Sequence, residues 1–348
     1  MEFSRALTGA LISAATLTTT PAAAAAIFDS QWALNNTGQH VCNFRGGNCT
    51  DGTVGDDLKY KLVTQTSGDC SNVIVAVLDT GADLRHPDLA GNLLPGKNFV
   101  DGVDSDDPQD DNLHGTHVTG IIAGNGTESG GVVGVCHKAK VIPVKVGNSQ
   151  GELSDSDILE GINYAVSQGA RVVNGSFGGP QGNAVVKSAI KKASNTLFIF
   201  AAGNGDEKGI GYDIDTQPSY PAAYGLANII TVAATDANDK LGSFSNFGVK
   251  MVQLAAPGVN IVSSLPLQPT DEMTQYGIPM ESGPLDGTSM ATPFVTGAVA
   301  MLLSSNPSLT SAAAKARVLA SVDKLPNLAG KVQSGGRLNL AKLMGVSR

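Results

Sequence analysis

Ser289 stands in the run Gly287-Thr288-Ser289-Met290-Ala291-Thr292-Pro293, at the head of an apolar stretch, residues 290–303, that reads as a buried helix. A serine hydroxyl is a nucleophile only when a base takes its proton and donors stabilise the oxyanion that forms. A helix N-terminus offers unpaired N–H groups and a positive dipole end at that spot. Candidates for the other parts occur upstream. Asp79 ends the run Val73-Ile74-Val75-Ala76-Val77-Leu78 and precedes Thr80-Gly81. His114 opens His114-Gly115-Thr116-His117-Val118. Asn204 follows Leu197-Phe198-Ile199-Phe200-Ala201-Ala202-Gly203. An orienting acid, a base, a polar donor and a serine, in that chain order, are the parts of acyl transfer through a serine.

The elements around these residues suit that chemistry. Residues 73–78 form a continuous β-branched run, the pattern of a parallel strand buried on both faces. Asp79 then lies at the carboxyl end of a central strand, where open α/β sheets form their crevice. His114 sits where a helix of small and apolar residues begins, and Asn204 follows a second buried strand. Further strands are predicted over 141–146, 170–174, 229–234 and 252–255, and helices over 154–167, 184–193 and 311–322. Alternation of this kind implies an α/β fold, a mainly parallel, doubly wound sheet with helices on both faces.

Each residue also has a plainer role. Asp79 could cap a helix, Asn204 could be a turn residue beside glycine, and Ser289 could be a cap. Only their joint occurrence in order outweighs those roles. His117 reads as a packed histidine, because its spacing from His114 has no third ligand in a zinc pattern. His40, His86 and His137 have no such company and read as structural.

The chain has 348 residues and 42 glycines, enough for one large core, with no Pro/Ser-rich linker, charge block or internal repeat dividing it. A net charge of −8 argues against nucleic acid or an anionic membrane as the main partner. Residues 1–26 read as a signal peptide, with Arg5, a mildly apolar stretch and small residues at Ala24 and Ala26. A low-complexity alanine tail is the alternative. No run is long enough to span a membrane. The four cysteines fit an oxidising compartment and allow three pairings. Cys42 and Cys49 bracket a short Gly/Asn-rich loop and would close it cheaply. Asn35, Asn48 and Asn125 stand in glycosylation sequons, and Asn174 in one expected to be buried.

The segments AVLDTG around Asp79, HGTHVTG at His114, AAGN at Asn204 and GTSMATP at Ser289 resemble the signatures of the subtilisin-like serine proteases, the subtilases, over roughly residues 31–343. The resemblance implies a three-layer αβα fold and a secreted, monomeric serine endopeptidase spanning 27–348. It implies Asp79, His114 and Ser289 as the catalytic triad, Asn204 in the oxyanion hole and no cofactor for the chemistry. The Asp–His–Ser order and the Thr-Ser-Met context do not suit an α/β-hydrolase esterase. A secreted peptide-binding pseudoprotease is the rival reading.

The resemblance also implies the partner, an extended polypeptide paired with Ser149-Gln150-Gly151 and Ser176-Phe177-Gly178. Ala201, Ala202 and Gly203 would line the pocket for the residue before the scissile bond, giving broad specificity with a preference for large apolar side chains. Adjacent parallel strands would bring Cys70 to Cys136. Structural calcium is implied at two places. One is the acidic loop of Asp101, Asp104, Asp106, Asp107, Asp110 and Asp111, for which a solvated loop is the alternative. The other is Gln31 with Asp88, where Asn125-Gly126-Thr127-Glu128 departs from the family's Asn-rich loop. Leu113, Thr119, Phe294 and Thr296 stand where the family has other residues, and changes of packing are expected there. Subtilases usually carry a folding-assisting pro-domain. Here the catalytic region begins almost directly after Ala26, so either the chain folds unaided or the sequence is incomplete.

Overall fold

Side chains along a strand alternate between faces, and in the central strand both faces are apolar. β1 (Ile74–Asp79) sends Val75 and Val77 into one hydrophobic core and Ala76 and Leu78 into another. The computed structural model describes residues 27–346 except 48, 64–69, 103–104 and 128–129, so the expected signal peptide lies outside the described residues.

Eight further strands join β1 in one sheet: β2 (Lys97–Asn98), β3 (Lys140–Lys145), β4 (Val172–Gly175), β5 (Leu197–Ala201), β6 (Ile229–Thr235), β7 (Leu254–Pro257), β8 (Val322–Lys324) and β9 (Gly336–Leu338). Their order is β8-β9-β7-β6-β5-β4-β1-β3-β2. Every pair is parallel except β8–β9. The winding leaves β1 in both directions, towards β3 and towards β4, so the crevice at its carboxyl end is the switch point of the sheet.

Helices cover both faces. Val118 and Ile121 of α1 (His114–Ala123) and Val295 and Val299 of α4 (Thr288–Ser305) share the core of Val75 and Val77. Ile158 and Ile162 of α2 (Asp155–Ser167) and Val186 and Ile190 of α3 (Ala184–Lys192) share the core of Ala76 and Leu78. The result is the expected three-layer αβα fold. Ser154, Asn183 and the Thr310 ahead of α5 (Ser311–Ala320) cap their helices through side-chain oxygens, each contributing about 1 kcal/mol. α4 is apolar all round and buried from Thr288 to Leu303, as a helix through the middle of a large core must be.

Some expected boundaries move. The helix expected over 311–322 stops at Ala320, and Val322 instead begins β8. β2, β8 and β9 are short and partly polar, and no periodicity in the sequence marks them. The cysteines pair as Cys42–Cys49 and Cys70–Cys136. In the second pair the cause is the parallel register Ile74↔Lys140, which puts both preceding loops at one end of the sheet.

Candidate active site

β1 delivers Asp79 to the crevice as its last residue, buried. Asp79 Oδ1 accepts the Thr80 N–H at 2.8 Å and His114 Nδ1–H at 2.7 Å. A carboxylate only accepts, so the ring proton sits on Nδ1 and Nε2 is left as the basic nitrogen. Burial disfavours charge on the His114 ring. The Asp79 carboxylate, its hydrogen bond and the charge of Asp110 outweigh that, and the pKa stands above its ordinary 6.5.

The Thr80 loop is held from three sides. Lys145 Nζ, buried at the end of β3, donates to Thr80 O at 2.8 Å, Gly147 O at 2.9 Å and Asp111 at 2.6 Å. Thr80 Oγ1 accepts the Gly115 N–H at 2.9 Å and donates to Asp110 at 2.9 Å. Asp110 also accepts from Asn112 N, Thr116 N and Thr116 Oγ1. Its burial raises its pKa even against these hydrogen bonds. Asp110 and Asp111 thus brace the loop around Asp79.

Ser289 lies in the first turn of α4, nearly buried. Pro293 has no N–H to give the carbonyl four residues back, which is that of Ser289. Ser176 Oγ takes up that acceptor at 2.9 Å, and Ser289 Oγ in return donates to Ser176 O at 2.9 Å. Asn204 Oδ1 accepts both the N–H and the hydroxyl of Thr288 at 2.8 Å.

Asp79, His114, Asn204 and Ser289 line one cleft of about 450 Å³ together with Gln150, Gly151, Ser176, Phe177, Gly178, Ala201 and Gly203. Gly203 has φ +103° and an added Cβ would lie 2.5 Å from Asn246 Nδ2, so glycine is required there. Two expected residues lie elsewhere. Ala202 is fully buried in the second core, because alternation turns it away from the face of Ala201. Ser149 lines the neighbouring recess, where its carbonyl accepts Asn112 Nδ2 at 2.9 Å. Asn112, Leu153 and Glu272 line the cleft without a sequence signal that singles them out.

The other histidines are placed without that company. His117 is buried, donates through Nε2 to Gly283 O at 3.1 Å, and is pushed by burial to about 3. His86 is buried against Glu281 O, and His40 pairs with Asp51 on the surface. His40 also lies near Cys42 and Cys49, whose sulfurs are committed to their disulfide. Asn174 is buried as expected, and Thr296 Oγ1 donates to its Oδ1 at 2.8 Å. Phe294 packs in the first core. Nothing in the structure explains Thr119, whose buried hydroxyl has no partner among the described residues.

At the expected ion positions, Asp106 is exposed and 3.9 Å from Lys97 Nζ, Asp107 accepts the Gln109 N–H, and Asp104 lies outside the described residues. Asp101 stands on the surface at φ 56°. Among the described residues no three carboxylates converge there. Gln31 bonds to Val133 N and O, while Asp88 Oδ2 accepts the adjacent Val132 N–H at 2.9 Å.

Comparison with known proteins gives the family. The model of the subtilase family matches residues 70–341. The chain belongs to that family. This subtilase is 37% identical to thermitase of Thermoactinomyces vulgaris over 274 residues, 78% of this chain and 88% of that protein. It is 42% identical to the major intracellular serine protease of Bacillus subtilis (strain 168) over 238 residues, 67% of this chain and 69% of that protein. It is 38% identical to subtilisin amylosacchariticus of Bacillus subtilis subsp. amylosacchariticus over 257 residues, 74% of this chain and 62% of that protein. As a subtilase it is a serine endopeptidase, a hydrolase of peptide bonds with a subtilisin-like fold, and catalysis in this family needs no cofactor.

Proposed function

We propose that Ser289 attacks the peptide carbonyl while His114 Nε2 takes its proton, Asp79 orients and stabilises the imidazolium, and Asn204 Nδ2 with the Ser289 N–H holds the oxyanion. The observation that carries this reading is the 2.7 Å Asp79–His114 hydrogen bond opening onto the cleft that Ser289 and Asn204 share. Ser289 Oγ points to Ser176 O, so rotation about its Cα–Cβ bond towards His114 precedes attack. His114 then returns the proton to the leaving amine, and water releases the acyl group by the same steps in reverse.

The substrate is an extended polypeptide lying along Gln150-Gly151 and Ser176-Phe177-Gly178. Gly151, at φ +77°, meets nothing closer than 3.9 Å at a built Cβ, which leaves room for a backbone to approach. The small walls Ala201 and Gly203 favour a large apolar side chain before the scissile bond. We also propose one catalytic domain over 27–348, a monomer, and secretion. Two disulfides support secretion. Among the described residues no helix is long and apolar enough to cross a membrane. For structural calcium we propose the Gln31–Asp88 corner and the acidic loop of Asp101, Asp104 and Asp106 as the candidate places.

Hydrolysis of unfolded casein by the chain and by Ser289→Ala, with and without a serine-directed covalent inhibitor, tests this reading. Activity abolished by the mutation and by the inhibitor is expected. A folded but inactive wild type would instead leave a peptide-binding protein.

A further inference from the structure

We propose that Glu272 is a specificity residue, selecting lysine or arginine at the substrate position immediately N-terminal to the one entering the Ala201–Gly203 pocket. The inference rests on the reading of Ser289 as the nucleophile.

Glu272 lines the cleft with Asn112 and His114. It belongs to the short helix Asp271–Tyr276, whose cap, Thr270, accepts the Met273 N–H at 3.2 Å. That helix is fixed to the base-bearing loop. Thr270 Oγ1 donates to Asn112 O, and Met273 is buried against Leu113 and Leu265. The flanking chain is tied down by Leu267 N to Asp83 at 2.9 Å and by His86 to Glu281 O at 2.9 Å. Leu113, where the family usually has a smaller residue, thus supplies the apolar seat that presents Glu272 to the cleft.

Alternation narrows the position. Ala201 ends β5 and Gly203 follows it, whereas Asn112 bridges to Ser149 after β3, and β4 and β1 lie between them in the sheet. A strand sends successive side chains to opposite sides. When one side chain enters the Ala201 pocket, its two neighbours turn to the other side, and we assign the preceding one to the Asn112–His114–Glu272 wall. The Glu272 carboxylate has no hydrogen bond or ion pair among the described residues, and no lysine or arginine lines the cleft. Nearby cations are engaged or face elsewhere. Lys145 pairs with Asp111, and Arg85 lines the adjoining recess with Asp271. A part-solvated carboxylate discriminates modestly, by about three- to fivefold in rate, and less as salt rises.

The test is kcat/KM for peptide anilides identical except for Lys, Ala or Glu at that position. Wild type should prefer Lys to Ala by about three- to fivefold and Ala to Glu by a similar factor. Glu272→Gln should bring the three close to equality, and Glu272→Lys should invert the order of Lys and Glu. A variant that merely loosens the loop would not invert a charge preference. Equal wild-type rates, or a preference that survives Glu272→Lys, would overturn the proposal and leave the nucleophile reading standing. No cleavage of any of the three by folded protein would remove both.

Discussion

Asn204 and Thr288 are joined by two hydrogen bonds, both to the same oxygen of the Asn204 amide. Since one donor is a backbone N–H, that oxygen cannot be exchanged for the nitrogen, and the amide N–H groups are left facing the cleft. The residue that holds the first turn of α4 is thereby the one that offers a donor beside Ser289.

This double role separates two substitutions. Asn204→Ala should lower kcat by about 10²–10³ with little change in KM, and also loosen the start of α4. Asn204→Asp keeps the acceptor for Thr288 and loses the donor. Its kcat should fall at least as far while its thermal midpoint stays nearer wild type. Steady-state kinetics and melting curves on both variants check this. An Asn204→Asp enzyme with unaltered kcat would remove Asn204 from the oxyanion site.

The pH dependence follows from His114. In the proposed mechanism its ring must be neutral to accept the Ser289 proton, and Asp79 raises its pKa against the lowering by burial. The acid limb of kcat/KM should therefore lie above 6.5, with activity lost as pH falls through it. Asp79→Asn removes the main raising influences and leaves burial, which lowers the pKa. Its limb should move to lower pH while kcat drops on the order of 10⁴-fold. A limb that stayed in place would mean another group titrates.

The parts legible in the sequence are those tied to one element end. Asp79 and Asn204 follow apolar strands, and Ser289 heads an apolar helix, so local pattern places them. What the sequence hides depends on chain crossings. The density of Asp101, Asp106 and Asp110 looks the same whether solvated, ion-bound or buried, and only the approach of Thr80 and Thr116 distinguishes Asp110. Lys145 reads as an ordinary strand end until its Nζ meets the Thr80 loop. Glu272 enters the cleft because residues 266–281 dock on Leu113 over a separation that no periodicity records, and Ser149 lies outside it with its carbonyl on Asn112.

The two disulfides should differ in effect. Cys70–Cys136 closes a sequence separation of 66 and Cys42–Cys49 one of 7. The loop-entropy model gives about 4 kcal/mol for the longer and about 2 kcal/mol for the shorter. Denaturant unfolding of the two double Cys→Ser variants should show the larger loss for 70–136. The reverse ranking would place the Cys42–Cys49 loop in the folding core.

Calcium removal gives a separate test. If Gln31 and Asp88 hold an ion, chelation should lower the thermal midpoint, and Asp88→Asn should abolish the difference between chelated and calcium-loaded protein. Asp106→Asn should leave that difference intact. A midpoint indifferent to chelator would count against an ion at both positions.

Arg337 provides the sharpest stability prediction. It is buried at 2% exposure on β9, with Nη1 on Asp239 and Nη2 on Asp323 at 2.8 Å. Burial raises Asp239 to about 6 even with the guanidinium beside it. Without Arg337, ionised Asp239 would be a buried charge lacking its counter-ion, and Arg337→Met should cost about 3–5 kcal/mol at neutral pH. The sign with pH is fixed by linkage. The folded pKa lies above the unfolded one, so protonation favours the folded state, and the variant should recover stability as pH falls through the Asp239 pKa. Urea unfolding of wild type and Arg337→Met at pH 7.5 and 5 measures this. A loss equal at both values would mean that packing of the arginine stem, rather than the uncompensated carboxylate, sets the cost.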